Sequence, residues 1–206
     1  MSKDLVGILL RHGDTEANDQ NLFRSRMDPP LNKKGTAQAE KAAKDIYKKH
    51  KDFVKKIVTS PMLRACQTAD VLAEKLHVPV EQDRGLISWH LGFMTGKDRD
   101  EYQELLDYYI NNPKSAPPEG ESLDNLEERN REFFDKALRT EGTVYVTHNS
   151  NLVVLESMIN GDKEGRPESS ETSVDPGGII GIYVDDSGKY STEVLFGVEK
   201  PAEFTS

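Results

Sequence analysis

A chain of 206 residues suits one domain and is long enough to bury a substantial core. With 35% hydrophobic and 31% charged residues its surface must be highly polar, and no apolar run approaches the ~20 residues of a membrane span. The net charge of −9 argues against a general nucleic-acid binder, which depends on basic faces, but leaves room for a small basic pocket and a phosphorylated substrate.

The N-terminal Met1-Ser2-Lys3-Asp4 enters an apolar run directly and lacks the layout of a secretory signal. Leu5 to Leu10 reads as a strand that is apolar on both faces, as parallel sheets require, and it breaks at Arg11-His12-Gly13. A loop rich in Asn, Asp and Pro follows from Asn18 to Asn32. Asn32 caps a predicted helix from Lys33 to about His50, with Ala39, Ala42, Ala43 and Ile46 on its inner face. Phe53 to Thr59 reads as a second strand. Ser60 and Pro61 have the signature of an N-cap and first helical position, and a stripe of Ala65, Ala69, Leu72, Ala73 and Leu76 follows. The single cysteine, Cys66, excludes an intrachain disulfide and is expected to pack. With the plain N-terminus, it fits a cytoplasmic protein.

Val78-Pro79-Val80 is expected to be an edge strand because of its proline. Glu81 to Gly96 is irregular and holds the single tryptophan, Trp89. A helix is expected over Asp98 to Asn111, a proline-rich loop over Pro113 to Gly120, and a helix capped by Ser122 to about Arg139. Thr143 to Thr147 is a further buried strand, and Asn149-Ser150 caps a helix from Asn151 to about Ile159. Gly161 to Gly178 is polar and expected to be mobile. Ile179–Val184 and Tyr190–Val198 form a closing hairpin around Asp185-Asp186-Ser187-Gly188, and the tail after Lys200 should fray. Alternating strands and helices indicate a three-layer α/β/α sandwich with a mostly parallel sheet, one domain over residues 1–206 with an excursion at about 81–120.

Three predicted strand ends carry related chemistry: Arg11-His12 after the first, Arg64 one turn into the helix after the second, and His148 after the strand from Thr143. Ligands of parallel sheets bind beyond the carboxyl ends of the strands, so these residues are expected to share one crevice. Two imidazoles and two guanidinium groups suit phosphoryl transfer, with a neutral His12 as nucleophile and arginine neutralising phosphate oxygens. The bland alternative is a polar loop after a strand.

Arg11-His12-Gly13-x-Thr15-x-x-Asn18 resembles the signature of the histidine phosphatase superfamily, which includes cofactor-dependent phosphoglycerate mutases. The resemblance continues through Asp28-x-Pro30-Leu31-Asn32-x-x-Gly35-x-x-Gln38-Ala39, Ser60-Pro61-x-x-Arg64-Ala65-x-Gln67-Thr68-Ala69, Pro118-Glu119-Gly120-Glu121-Ser122-Leu123 and Val146-Thr147-His148. Order and spacing match from Leu5 to about Ile159. The resemblance implies a phosphoglycerate mutase-like fold and a phosphoryl group accepted by His12. Arg11, Arg64 and His148 would complete the phosphate pocket, and Asn18 would line it. It implies no metal and no cofactor, and the five histidines show no metal-binding spacing of their own.

One departure matters. Where much of the family places a glutamate as general acid, the segment Leu86-Ile87-Ser88-Trp89-His90-Leu91-Gly92 has Ser88. His90 is the first candidate to replace it, on its ordinary pKa, with Asp83, Asp14 and Glu16 behind it. A loop histidine packed beside Trp89 is the alternative reading. Arg24 and Arg26 lie in the loop over the proposed pocket, either to bind a second anionic group or as solvated arginines. His50 and His77 fall at helix ends, where a cap role is expected, and Tyr102, Tyr108 and Tyr109 read as core or lid surface, with the shaping of a substrate pocket as the alternative. The function expected is a phosphomonoester hydrolase acting on a small phosphorylated substrate, without nucleic acid or membrane. Mutase activity is the alternative enzyme, and a weak phospho-ligand-binding member is the alternative of another class.

Overall fold

A computed structural model describes residues 2–137, 140–161 and 174–197. Its order is β1 (Lys3–Arg11), α1 (Glu16–Asp19), α2 (Lys33–His50), β2 (Lys56–Thr59), α3 (Leu63–Leu76), β3 (Val80–Gln82), two 3₁₀ turns (Arg84–Leu86 and Gly92–Met94), α4 (Arg99–Asn111), α5 (Leu123–Ala137), β4 (Thr143–Thr147), α6 (Asn149–Asn160), β5 (Ile179–Asp185) and β6 (Tyr190–Phe196). The six strands lie in the order β3-β2-β4-β1-β5-β6. Pairings among β3, β2, β4 and β1 are parallel, whereas β5 and β6 join antiparallel as the closing hairpin. The sheet is mostly parallel, and helices cover both faces.

The apolar runs sort by period two. Ile8, Leu10, Ile57, Val144 and Val146 face Ala42, Ala43 and Ile46 of α2 and Ala65, Ala69 and Leu72 of α3. Leu9, Val58 and Tyr145 face the opposite way, against Phe133, Leu152, Leu155 and Ile159 of α5 and α6. A third cluster lies apart from the sheet strands: Phe23, Trp89, Leu91, Met94, Leu106, Tyr109, Leu123, Leu126 and Val154. It carries residues of the 81–120 stretch onto α5 and α6.

Two helix starts differ from the sequence reading. α3 begins at Leu63 with Met62 at its N-cap, because the Ser60 hydroxyl is engaged elsewhere and Leu63 N–H donates instead to Asp28 Oδ1 at 2.7 Å. α6 begins at Asn149, with His148 itself at the N-cap. The Ser122 and Asn32 caps are present, accepting from Asn125 and Gly35 respectively. Of the polar segment from Gly161, residues 162–173 lie outside the described residues, as do Val198 and the tail; Val174 is fully buried. No helix among the described residues is long and apolar enough to cross a membrane.

Candidate active site

The parallel register sets the site. Arg11 lies opposite Thr147, so β1 and β4 end level, and His12 N–H donates to Thr147 O at 3.0 Å. Ser60 N–H likewise donates to Val146 O at 2.9 Å, which levels the end of β2. His12, Ser60 and His148 are therefore delivered to one crevice from three strand ends. A backbone crossing holds this arrangement: a Cβ on Gly13 would collide with the Gly35 carbonyl oxygen, and a Cβ on Gly35 with the Asp14 carbonyl oxygen. Both positions must be glycine for α2 to pack this closely behind His12.

His12 is 1% exposed. Its Nδ1 lies 2.6 Å from the Gly13 carbonyl oxygen, which can only accept, so Nδ1 bears the hydrogen. Arg64 Nε, which can only donate, lies 3.1 Å from Nε2, so the lone pair is on Nε2. Burial, then the Arg64 and Arg24 charges, hold the His12 pKa well below the usual histidine value, leaving the ring neutral near pH 7. His148 packs edge-on, with ring centroids 5.1 Å apart. Its pKa is also well lowered, first by burial and then by Arg64.

Ser60 Oγ, which accepts from Met62 N–H, lies 2.8 Å from His148 Nε2. With the Ser60 hydroxyl donating to Nε2, the remaining hydrogen of the pair is on His148 Nδ1, a buried atom without a hydrogen-bond partner among the described residues. The reverse assignment leaves the hydroxyl hydrogen unpaired and Nδ1 an unpaired acceptor. A buried orphan donor beside the nucleophile costs about 1–3 kcal/mol until an acceptor arrives.

Arg64 is fully buried and also donates to Met27 O at 2.6 Å and Ser25 O at 3.0 Å, tying the 24–28 loop to the site. Its pKa is pushed down to about 10 by burial, opposed by Asp28. Arg11, expected in the same pocket, is buried, donates to Val174 O at 2.8 Å and lines the neighbouring groove instead of the cavity of His12, Arg64 and His148. Arg24 lines the same cavity as His12, Arg64 and His148, and burial with the neighbouring Arg11 and Arg64 pushes its pKa down to about 9. So much concentrated positive charge suits an anion.

The structure separates the other candidates from this cavity. Asn18 accepts from Thr15 N–H and Oγ at the start of α1 and lines a neighbouring groove with Arg11, Asp14 and Gln38. Arg26 is exposed and lies 3.5 Å from Glu121. His90 is half-buried, its backbone N–H donating to Glu121 Oε1, and does not line the His12 cavity. Asp14 pairs with Lys34 and Gln38, Asp83 caps the first 3₁₀ turn, and Glu16 is exposed in α1. Among the described residues no Asp or Glu lines the cavity, and Ser88 does.

Two further arginines had no motif to announce them. Arg99 lies at the start of α4, on the cavity wall. Arg129 donates to Gly85 O, Ile87 O and Glu121 Oε1 at 2.7–2.8 Å and so fixes the segment bearing Ser88. Tyr109 is core, Tyr108 is half-exposed, and Cys66 is partly buried with its thiol pKa raised by burial.

The profile of the histidine phosphatase superfamily (branch 1) matches residues 8–192. The chain belongs to this superfamily. A 2,3-bisphosphoglycerate-dependent phosphoglycerate mutase of Nitrobacter winogradskyi is 32% identical over 169 residues, covering 75% of this chain and 80% of the relative. A putative phosphoserine phosphatase 2 of Hydrogenobacter thermophilus is 28% identical over 193 residues, covering 90% and 92%. Among solved structures, Bacillus stearothermophilus YhfR superposes with a TM-score of 0.78 at 26% identity over 94% of this chain and 98% of that one. The histidine phosphatase fold thus spans the parallel sheet, the hairpin and the segment over the cavity.

Proposed function

We propose that the chain is a phosphomonoester hydrolase of the histidine phosphatase superfamily, working as one domain through a phosphohistidine on His12 Nε2. One observation carries this reading. The partners of His12 fix its tautomer so that a neutral, buried Nε2 lone pair lies in a cavity lined by Arg24, Arg64 and His148. Arg64 Nε, now on that lone pair, is within one atom's reach of a phosphoryl oxygen when the ester arrives, and the unpaired His148 Nδ1–H supplies a second donor. Attack forms the Nε2–P bond as the P–O bond to the leaving group breaks. Water then attacks phosphorus, releasing inorganic phosphate and restoring neutral His12.

Guanidinium and imidazole groups neutralise the transferring phosphoryl group in this scheme, so no metal is required, and we place the enzyme in the cytoplasm with small phosphorylated metabolites as its substrates. Its phosphoglycerate mutase relatives favour a second reading, phosphoryl return to a different oxygen of the substrate. Arg24 could then hold a second anionic group. Hydrolysis of p-nitrophenyl phosphate and a panel of metabolite monoesters, with EDTA present, tests the proposal in wild type, His12→Ala and His148→Ala. Acid-labile phosphoprotein that disappears in His12→Ala is the expected result. Isomerisation of 3-phosphoglycerate at a rate above hydrolysis would replace the hydrolase by the mutase. Intact phosphate binding without His12-dependent turnover would reduce the chain to a binding protein.

A further inference from the structure

The cavity has two unlike kinds of wall. His12, Arg24, Arg64, Arg99 and His148 suit the phosphoryl group, whereas Leu22, Phe23, Trp89, Leu106, Ile110 and Val153 line the same cavity with apolar surface. We infer that the ester bound here is an aryl phosphate, whose flat apolar ring lies against the apolar side chains; this rests on the phosphatase reading and adds the chemistry of the leaving group.

The serine hydroxyls of the wall point the same way. Ser25 Oγ donates to Trp89 O at 3.0 Å and accepts from Leu91 N–H at 2.8 Å. Ser150 Oγ accepts from Trp89 N–H at 3.2 Å. Ser25 Oγ is thereby committed to the backbone of the wall as donor and acceptor, and Ser150 Oγ as acceptor. Against Leu22, Phe23, Trp89, Leu106, Ile110 and Val153 a sugar or glycerol group would surrender its water hydrogen bonds, whereas an aromatic ring loses none. Among the described residues no carboxyl lines the cavity, and the third wall hydroxyl, Ser88, does not protonate a departing alkoxide near neutral pH.

The leaving oxygen therefore departs as an anion. A phenol's oxygen tolerates this because its ring delocalises the charge, and the Arg24 and Arg99 side chains on the cavity wall favour a developing phenolate. The step balances without a donor: the P–O(aryl) bond breaks with both electrons going to oxygen while the Nε2–P bond forms. Water later supplies the hydroxyl of the released phosphate, and its other proton neutralises the phenolate in solvent.

The experiment compares kcat/KM of the full-length protein for phenyl phosphate, substituted phenyl phosphates of graded phenol acidity, 2-naphthyl phosphate, glycerol 3-phosphate and glucose 6-phosphate. The aryl esters should exceed the polyol esters by at least ~100-fold, and the rate should rise steeply with phenol acidity, as expected where no general acid assists. Ile110→Ala should raise KM for 2-naphthyl phosphate by ~10-fold while the inhibition constant of inorganic phosphate stays within about twofold. Parity between aryl and polyol esters, a flat dependence on phenol acidity, or an unmoved naphthyl KM in Ile110→Ala would each overturn the inference and leave the phosphatase reading standing. Hydrolysis of none of the esters, with phosphate still bound, would overturn both.

Discussion

The floor and the roof of the cavity are built on different principles. The floor is the ends of β1, β2 and β4, where His12, Ser60 and His148 are locked by backbone register and by directed hydrogen bonds. The roof comes from the segment between the two 3₁₀ turns and from α4, α5 and α6, and it meets the cavity mainly through Leu, Val, Ile and aromatic side chains. A sheet edge fixes atoms to fractions of an ångström, which phosphoryl transfer demands. A wall of apolar side chains selects by shape and desolvation alone. Precision is invested where the phosphorus sits, and the choice of ester is left to the looser side.

Removing the nucleophile gives the largest separation of the two. His12→Ala should lower kcat toward p-nitrophenyl phosphate by on the order of 10⁴-fold or more, with apolar-ligand binding at the roof retained. Initial rates and binding of a non-hydrolysable aryl phosphonate measure the two quantities; a variant retaining several per cent of the wild-type rate would place the nucleophile elsewhere. Arg64→Lys comes next. Lysine keeps one charge but cannot hold Met27 O, Ser25 O and a phosphoryl oxygen together, so kcat should fall by ~100- to 1,000-fold.

The floor was legible in the sequence because each of its residues follows an apolar strand, and strands that are buried on both faces must lie in the middle of a parallel sheet. What was misread lies on the floor as well. Ser60 looks like a helix cap, yet its hydroxyl serves His148, and the helix starts three residues later with help from Asp28. Ser150 also resembles a cap, yet it holds Trp89 N–H. Asn18, expected at the phosphate, caps α1 instead. Local propensity is overridden at Ser60 and Ser150 by contacts with residues far away in sequence, whereas Asn18 is held by its neighbour Thr15. The roof offered less: Arg99, Ile110 and Val153 carry no motif, and only the folded structure brings them to one cavity wall.

Ser88→Glu tests whether the roof can be made to do directed chemistry. A carboxyl at this nearly buried wall position would be partly desolvated, and the protonated form would be favoured by burial but opposed by Arg24. It should raise kcat for glycerol 3-phosphate by ~10- to 100-fold and change p-nitrophenyl phosphate, which needs no proton, by less than about twofold. Equal effects on both esters would mean that residue 88 acts on binding and not on proton transfer.

The smallest expected effect concerns stability, and it isolates the floor. His12 and His148 have folded-state pKa values well below the ordinary histidine value, chiefly because both are buried. Above about pH 6.5 both the folded and the unfolded chain carry neutral rings, so these residues contribute no pH dependence. As pH falls through that value the unfolded chain binds protons that the folded floor refuses, and stability drops by up to ~1.4 kcal/mol per pH unit for each ring. The loss stops only below the folded pKa of each. Inorganic phosphate, by favouring the charged rings, should soften the decline. Tm measured between pH 7.5 and 5 should therefore fall by several degrees more in wild type than in His148→Gln, whose amide reaches Ser60 without titrating, at roughly 2–4 °C per kcal/mol for a chain of this length. Parallel curves for the two proteins would show that His148 titrates normally, and that the floor is wetter than its packing indicates.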